Sequence, residues 1–250
     1  MAELRAVLLD LGNTLIYFDG NWPDVFARAD QALLAELHKT GVSINAEQFL
    51  AEFRNRLNAY YEQRESEFIE YTTSYVLQTL LTEWGSPPLP EESLRAALRE
   101  MYAVSQEYWL PEPEAIPVLE TLLGRGLRLG LVSNAADDAD VQTLVDKAAL
   151  RPYFDVILSS AACGIRKPNP RIFRLALEPL GVTPDSAVMV GDTLGADILG
   201  AHNAGLRSVW ITRRADTPAN HDHEDTIEPD AAIATLGELP DLIAAWEREK

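Results

Sequence analysis

The chain has 250 residues, 47% of them hydrophobic, enough for one large domain or two modest ones around a buried core. Its 21 Lys and Arg stand against 39 Asp and Glu, a formal net charge of -18, which argues against a nucleic-acid or anionic-membrane surface because such binding rests on clustered cations. The single cysteine, Cys163, excludes an internal disulfide and reads as a small buried apolar residue, with a catalytic thiol as the lesser alternative.

The first strand is expected at Ala6-Val7-Leu8-Leu9, ending in Asp10 and passing at once into Leu11-Gly12-Asn13-Thr14-Leu15. Ile16 to Asn21, with its Asp19-Gly20 turn signal, suggests a short hairpin-like flap. Helical spacing then takes over: Pro23 to about Thr40, a helix capped by Asn45 and Gln48 and running through Tyr60, Phe68 to Trp84, and Pro90 to Tyr108. No strand pattern competes in this block, and Pro111-Glu112-Pro113-Glu114 closes it.

Beyond the prolines, strands alternate with helices. Strands are expected at Leu127 to Val132, Val156 to Leu158, Ala187 to Val190, Ser208 to Ile211 and Ala231 to Ile233. Helices fall up to Leu123, at Ala139 to Ala148, Asn169 to Leu180, Ala196 to Asn203 and Leu239 to Trp246. This pattern predicts an α/β fold, a Rossmann-like parallel sheet with helices on both faces, carrying an inserted all-helical domain. The expected boundaries are 1–17 plus 113–250 for the α/β core and 18–112 for the helical insertion. The polar stretch Arg213 to Glu228 reads as a surface loop, and its His221, His223 and Glu224 are assigned no metal role. No stretch approaches the ~20 apolar residues of a membrane span, and the N-terminus lacks a signal-peptide pattern, so a cytoplasmic location is expected.

Four strand ends or their following loops carry complementary polar residues: Asp10, Ser133-Asn134, Arg166-Lys167, and the run from Gly191-Asp192 to Asp197. In a parallel sheet all four converge on one edge, where ligands bind. Three clustered carboxylates (Asp10, Asp192, Asp197) repel one another unless a cation sits among them, and all-oxygen ligation suits Mg²⁺.

This order and spacing resembles the haloacid dehalogenase-like superfamily, in particular its phosphatases with a helical cap inserted after the first strand. The resemblance implies that Asp10 is a nucleophile forming an aspartyl-phosphate and that Lys167 neutralises nucleophile and phosphate. It implies that Ser133 and the Asn134 backbone hold the phosphoryl oxygens and that Thr14 shapes the turn at the substrate. It further implies Mg²⁺ held by Asp10, the Gly12 carbonyl and Asp192, with Asp197 supporting the cluster. The expected partner is a small phosphorylated substrate, with no nucleic acid and no membrane, and the expected state a monomer or homodimer.

One position departs from the family pattern. Gly12 stands where these phosphatases carry a second aspartate that protonates the leaving group and later activates water. The favoured function is still an Mg²⁺-dependent phosphomonoesterase; the alternatives are a dehalogenase-type member or a catalytically weak phosphate-binding or regulatory protein. Asp19 is a candidate substitute base by proximity alone, with a solvated turn as its competing role. Arg54, Arg56, Tyr60, Tyr61 and Arg64 are candidate cleft residues, although such side chains on helices more often pack or face solvent.

Overall fold

The computed structural model describes residues 3–248, without the side chains of residues 61–67. Tyr61 and Arg64 therefore lie outside the described side chains. A six-stranded, all-parallel sheet forms the core. Its strands are β1 (Ala6–Leu9), β4 (Arg128–Ser133), β5 (Val156–Ser159), β6 (Ala187–Gly191), β7 (Arg207–Ile211) and β8 (Ala231–Ile233), in the order β5-β4-β1-β6-β7-β8.

β1 is central and completely buried because its alternating side chains serve both faces. Val7 and Leu9 join the layer built with α5 (Ala115–Gly124), α6 (Asp138–Lys147) and α11 (Leu239–Arg248). Ala6 and Leu8 join the opposite layer, with α8 (Pro170–Leu180) and α9 (Leu199–Ala204), while the short helices α7 (Ser160–Cys163) and α10 (Pro218–His221) follow β5 and β7. The parallel register sets Leu9 beside both Leu131 and Val190, so Asp10, Ser133 and Asp192 emerge together at the C-terminal edge. All six expected core strands are present.

The insertion comprises α1 (Trp22–Lys39), α2 (Ala46–Glu67), α3 (Thr73–Glu83) and α4 (Glu91–Gln106) around an apolar centre of its own, with Leu33, Leu37, Phe49, Phe53, Leu77 and Leu80 fully buried. Asn45 caps α2 as expected, its side-chain oxygen accepting from Gln48 N at 3.0 Å. Two local expectations need correction. The flap is no self-contained hairpin: β2 (Ile16–Phe18) pairs antiparallel with β3 (Trp109–Pro111), a strand that helical spacing had hidden at the end of the fourth helix. The third helix begins at Thr73 and not at Phe68, because Phe68 has φ 54° and the backbone there turns down to the core.

That turn is tied firmly to the sheet. Glu70 N donates to Gly164 O, Arg166 N to Phe68 O and Thr73 N to Ala136 O. The Glu70 carboxylate, 5% exposed, accepts from Arg166 Nη1 at 3.0 Å and Ser160 Oγ at 2.7 Å on one oxygen and from Tyr60 OH at 3.1 Å on the other. On the opposite side the polar loop after β7 holds the ribbon. Arg213 and Arg214 both bond the buried Glu112, and the Arg214 guanidinium lies 3.9 Å from the Tyr17 ring centroid.

Removing one member of a buried ion pair strands the other charge, at a cost of about 3–5 kcal/mol. Glu70→Ala is expected to lower unfolding stability by that order in urea titrations, and Glu70→Gln by less, since the amide still accepts hydrogen bonds.

Candidate active site

Asp10 follows β1 and its amide donates to Val190 O at 3.0 Å, which fixes it against the end of β6. Lys167, delivered by the loop before α8, is 2% exposed. Its Nζ donates to Asp10 Oδ1 at 2.6 Å, Asp197 Oδ1 at 2.6 Å and Val132 O at 2.7 Å. The ammonium thus has three acceptors for three protons. Asn134 clamps the lysine backbone from both directions: its Oδ1 accepts from Lys167 N at 2.8 Å and its Nδ2 donates to Lys167 O at 3.0 Å.

Asp197 lies in the π-helical turn Leu194–Ile198 that opens the helix after β6. One of its oxygens takes Lys167 and the other accepts from Thr193 N at 3.0 Å. This approach needs Gly191, where any Cβ would stand 2.2–2.7 Å from Asp197 atoms. Asp192 accepts from Asn13 Nδ2 at 3.4 Å and from Thr193 Oγ1 at 3.3 Å. Ligand oxygens of Asp10, Asp192 and Asp197 all lie within 4.8 Å of one another.

One lysine does not balance three buried carboxylates. Burial pushes Asp10 up to about 6, with Lys167 drawing it down and Asp197 raising it further. Burial, then the charges of Asp10 and Asp197, pushes Asp192 up to about 8. Burial also disfavours the Lys167 ammonium, but Asp10 and Asp197 outweigh it and hold its pKa above the ordinary value. An all-oxygen donor set with a surplus of negative charge fits a hard divalent cation.

These groups sit at the bottom of a cavity of about 500 Å³ between the sheet edge and the helical insertion. Gly12, Ser133 and Asn134 line it with the carboxylates and Lys167. Thr14 does not: it is 1% exposed, and its buried hydroxyl has no hydrogen-bond partner among the described residues. Thr14 fills the turn instead of reaching the cavity. Asp19 is exposed and absent from the cavity wall, so proximity in sequence did not bring it to the site.

The remaining candidates separate. Arg54 lines the cavity but is paired with Asp30. Arg56 lies away from it, bonded to Glu52 and Glu83, and Tyr60 braces the backbone at Ile69 and Tyr71. Cys163 is half-buried, its thiol directed at the Ser159, Ser160 and Ile165 carbonyls. His221 pairs with Asp216 at 2.7 Å, and among the described residues neither it nor His223 joins a metal-binding group.

Two residues escaped the sequence reading. Asp140, on α6, lines the cavity and accepts from Gln106 Nε2 at 2.8 Å; only its place near a helix start marked it, where carboxylates are common anyway. Asn220 is completely buried in the loop read as solvated surface. Its Oδ1 accepts from Leu194 N at 2.7 Å and its Nδ2 donates to Asp192 O and Ala215 O, both at 2.8 Å. It therefore grips the backbone on both sides of Thr193, and no local pattern announces such a contact.

Asn220→Ala leaves the buried Leu194 N–H without its acceptor, and an unfolding-stability loss of about 2 kcal/mol or more is expected by calorimetry. Asp140 gives a pH signature. Burial raises it from 3.8 to about 7, so the folded state holds a proton that the unfolded chain releases. This contribution to stability is full below the unfolded value and declines as pH rises toward 7, by up to about 1.4 kcal/mol per pH unit. Asp140→Asn should flatten that part of a Tm-against-pH profile.

Comparison with known proteins agrees with this architecture. The sequence is 32% identical over 265 aligned positions to a phosphoserine phosphatase of Thermus thermophilus, spanning 94% of this chain and 98% of the relative. It is 29% identical over 240 positions to a glyceraldehyde 3-phosphate phosphatase of Methanopyrus kandleri, spanning 96% and 97%. A 2-haloacid dehalogenase structure from Pseudomonas syringae superposes with a TM-score of 0.66 at 28% identity, over 97% of this chain and 99% of that one. Residues 4–205 match the haloacid dehalogenase-like hydrolase pattern, and the chain belongs to that family of hydrolases.

Proposed function

We propose that this hydrolase is an Mg²⁺-dependent phosphatase for a small phosphorylated metabolite, with Asp10 as nucleophile, and that residues 18–112 act as a cap over the core formed by 1–17 and 113–250. The observation that carries the reading is the Lys167 ammonium held between Asp10 and Asp197 with Asp192 alongside. Phosphatase names among full-length relatives support it.

A phosphate monoester dianion repels an approaching carboxylate, so attack requires prior neutralisation. Lys167 supplies part of this by its contact with Asp10, which also orients the carboxylate so that one oxygen is held and the other is available to attack phosphorus. Ser133 and the Asn134 backbone, on the same cavity wall, receive the phosphoryl oxygens. Asp10, the Gly12 carbonyl and Asp192 would hold Mg²⁺, with Asp197 supporting through Lys167 and Thr193. That ion, when bound, supplies the charge neutralisation one lysine cannot. The bond from Asp10 to phosphorus forms as the bond to the leaving oxygen breaks, and water then cleaves the aspartyl-phosphate to release inorganic phosphate.

Gly12 sets the limit of this chemistry. An ideal Cβ there would meet the Trp109 indole at 3.5 Å, so the space beside the nucleophile is bounded by an aromatic ring instead of an acid. A leaving group that departs without a proton must already be a weak base. A dehalogenase reading draws on this same glycine and on the superposition with a haloacid dehalogenase. Against it stand Asp192 and Asp197, a surplus of carboxylate that displacement of a halide from carbon does not require.

The test is phosphate release from a panel of phosphorylated metabolites, with Mg²⁺ or with EDTA. Activity confined to Mg²⁺ is expected, with a loss of about 10⁴-fold or more in Asp10→Asn and of about 10²- to 10³-fold in Lys167→Met. Halide release from 2-haloacids that EDTA leaves intact would overturn the reading in favour of the dehalogenase.

A further inference from the structure

Three large aromatic side chains, Trp22, Phe26 and Trp109, line the cavity that holds Asp10. Trp22 lies face to face with Phe18, ring centroids 3.7 Å apart and planes within 4°, and stacks on Phe26 at 5.1 Å. Trp109 meets Phe18 and Trp22 edge-on at 5.5 and 6.3 Å and reaches over Gly12. Trp22, Phe26 and Trp109 all line the cavity, yet Trp22 remains 39% exposed and Phe26 44% exposed. Large aromatic rings that pack on one another and stay partly exposed along a cleft are the usual wall of a ligand site.

The charges around this wall narrow the ligand further. Among the described residues, the cavity's arginines are already engaged: Arg54 with Asp30, its guanidinium 4.6 Å from the Phe26 ring centroid, and Arg166 with Glu70 at 3.0 Å. Asp140 adds a carboxyl group and no cation. Lys167 is committed to the phosphoryl end. Among the described residues, a second anionic group on the substrate would therefore meet no unsatisfied cation.

From these two observations, taken with the glycine beside the nucleophile, we infer that the site is selective for monoesters whose leaving group is an uncharged aryl alcohol, with its ring seated on Trp22, Phe26 and Trp109. The inference rests on the phosphatase reading above and specifies its substrate class. Its chemistry is self-consistent. When Asp10 attacks phosphorus, the bond to the phenolic oxygen breaks and the electron pair leaves as a phenolate, whose conjugate acid has a pKa near ~10, so no protein acid is required. An aliphatic alkoxide is a far stronger base and would need one. The indole over Gly12, the position that carries no acid, is also part of the surface that binds the ring.

Three esters separate ring recognition from leaving-group basicity: phenyl phosphate has both, benzyl phosphate has the ring but a poor leaving group, and acetyl phosphate has a good leaving group and no ring. With the full-length protein and Mg²⁺, phenyl and benzyl phosphate are expected to share a low KM, with kcat for benzyl lower by about 10²-fold or more. Acetyl phosphate should show a KM at least about tenfold higher. Trp22→Ala should raise KM for both ring esters by roughly tenfold and erase much of their advantage over acetyl phosphate, while Trp22→Phe, keeping a ring, restores it. Trp22 is partly exposed at a helix start, so its truncation is compatible with folding, and far-UV circular dichroism checks this. Equal KM values across the three esters, or a Trp22→Ala loss shared equally by all three, overturns the aryl assignment and leaves the phosphatase reading standing. Absence of Mg²⁺-dependent phosphate release from every ester, acetyl phosphate included, overturns both.

Discussion

An ammonium group buried among acceptors organises this molecule. Lys167 is buried, and a buried lysine without partners would be pushed toward neutrality. Here Asp10, Asp197 and the Val132 carbonyl together supply one acceptor from the end of β1, one from the turn after β6 and one from β4. The interaction draws three separate segments to a point, and each must be shaped to permit it. Gly191 has no side chain because Asp197 lies where one would be, and Asn134 holds the lysine backbone so that its stem reaches inward. The geometry of the edge follows from satisfying one charge.

The same logic explains how the helical insertion is attached. It is fixed by polar contacts at both of its approaches to the sheet, Glu70 with Arg166 on one side and Glu112 with Arg213 and Arg214 on the other. Arg166 precedes Lys167 in sequence, and Ser160, bonded to Glu70, also accepts from Ala135 N at 2.9 Å, next to Asn134. The position of the insertion is thus linked by short, directional bonds to the two loops that build the site. Apolar packing alone would tolerate sliding; hydrogen-bonded ion pairs do not.

The parallel core was legible because each buried strand is a short apolar run between turn signals, alternating with helical stretches. The clustered residues Asp10, Lys167, Asp192 and Asp197 were legible for the same reason: strand ends in a parallel sheet share an edge. What was not legible depended on contacts distant in the chain. β3 pairs with β2 across some ninety intervening residues, and its three residues continue a helical-looking stretch. Asn220 sits in a segment whose composition signals solvent, and its burial is decided by the carbonyls it meets. Thr14, expected to shape the turn, does pack inside it, and its side chain does not line the cavity. The aromatic wall was hidden too, since Trp22 and Trp109 are far apart in sequence and only the ribbon joins them.

That ribbon has a structural consequence of its own. Because β2 and β3 pair directly, with Ile16 opposite Pro111 and Phe18 opposite Trp109, the chain leaves the sheet and returns to it at neighbouring points. Topologically, the sheet meets the whole insertion as a hairpin whose connecting loop happens to be long. Loop-closure entropy grows only with the logarithm of length, so loops of very different size and content attach to such a stem at nearly the same cost. The core can fold around its own strands while the loop is exchanged or remodelled. A family built on such a stem can diversify what lies above the catalytic edge and leave the edge itself unchanged.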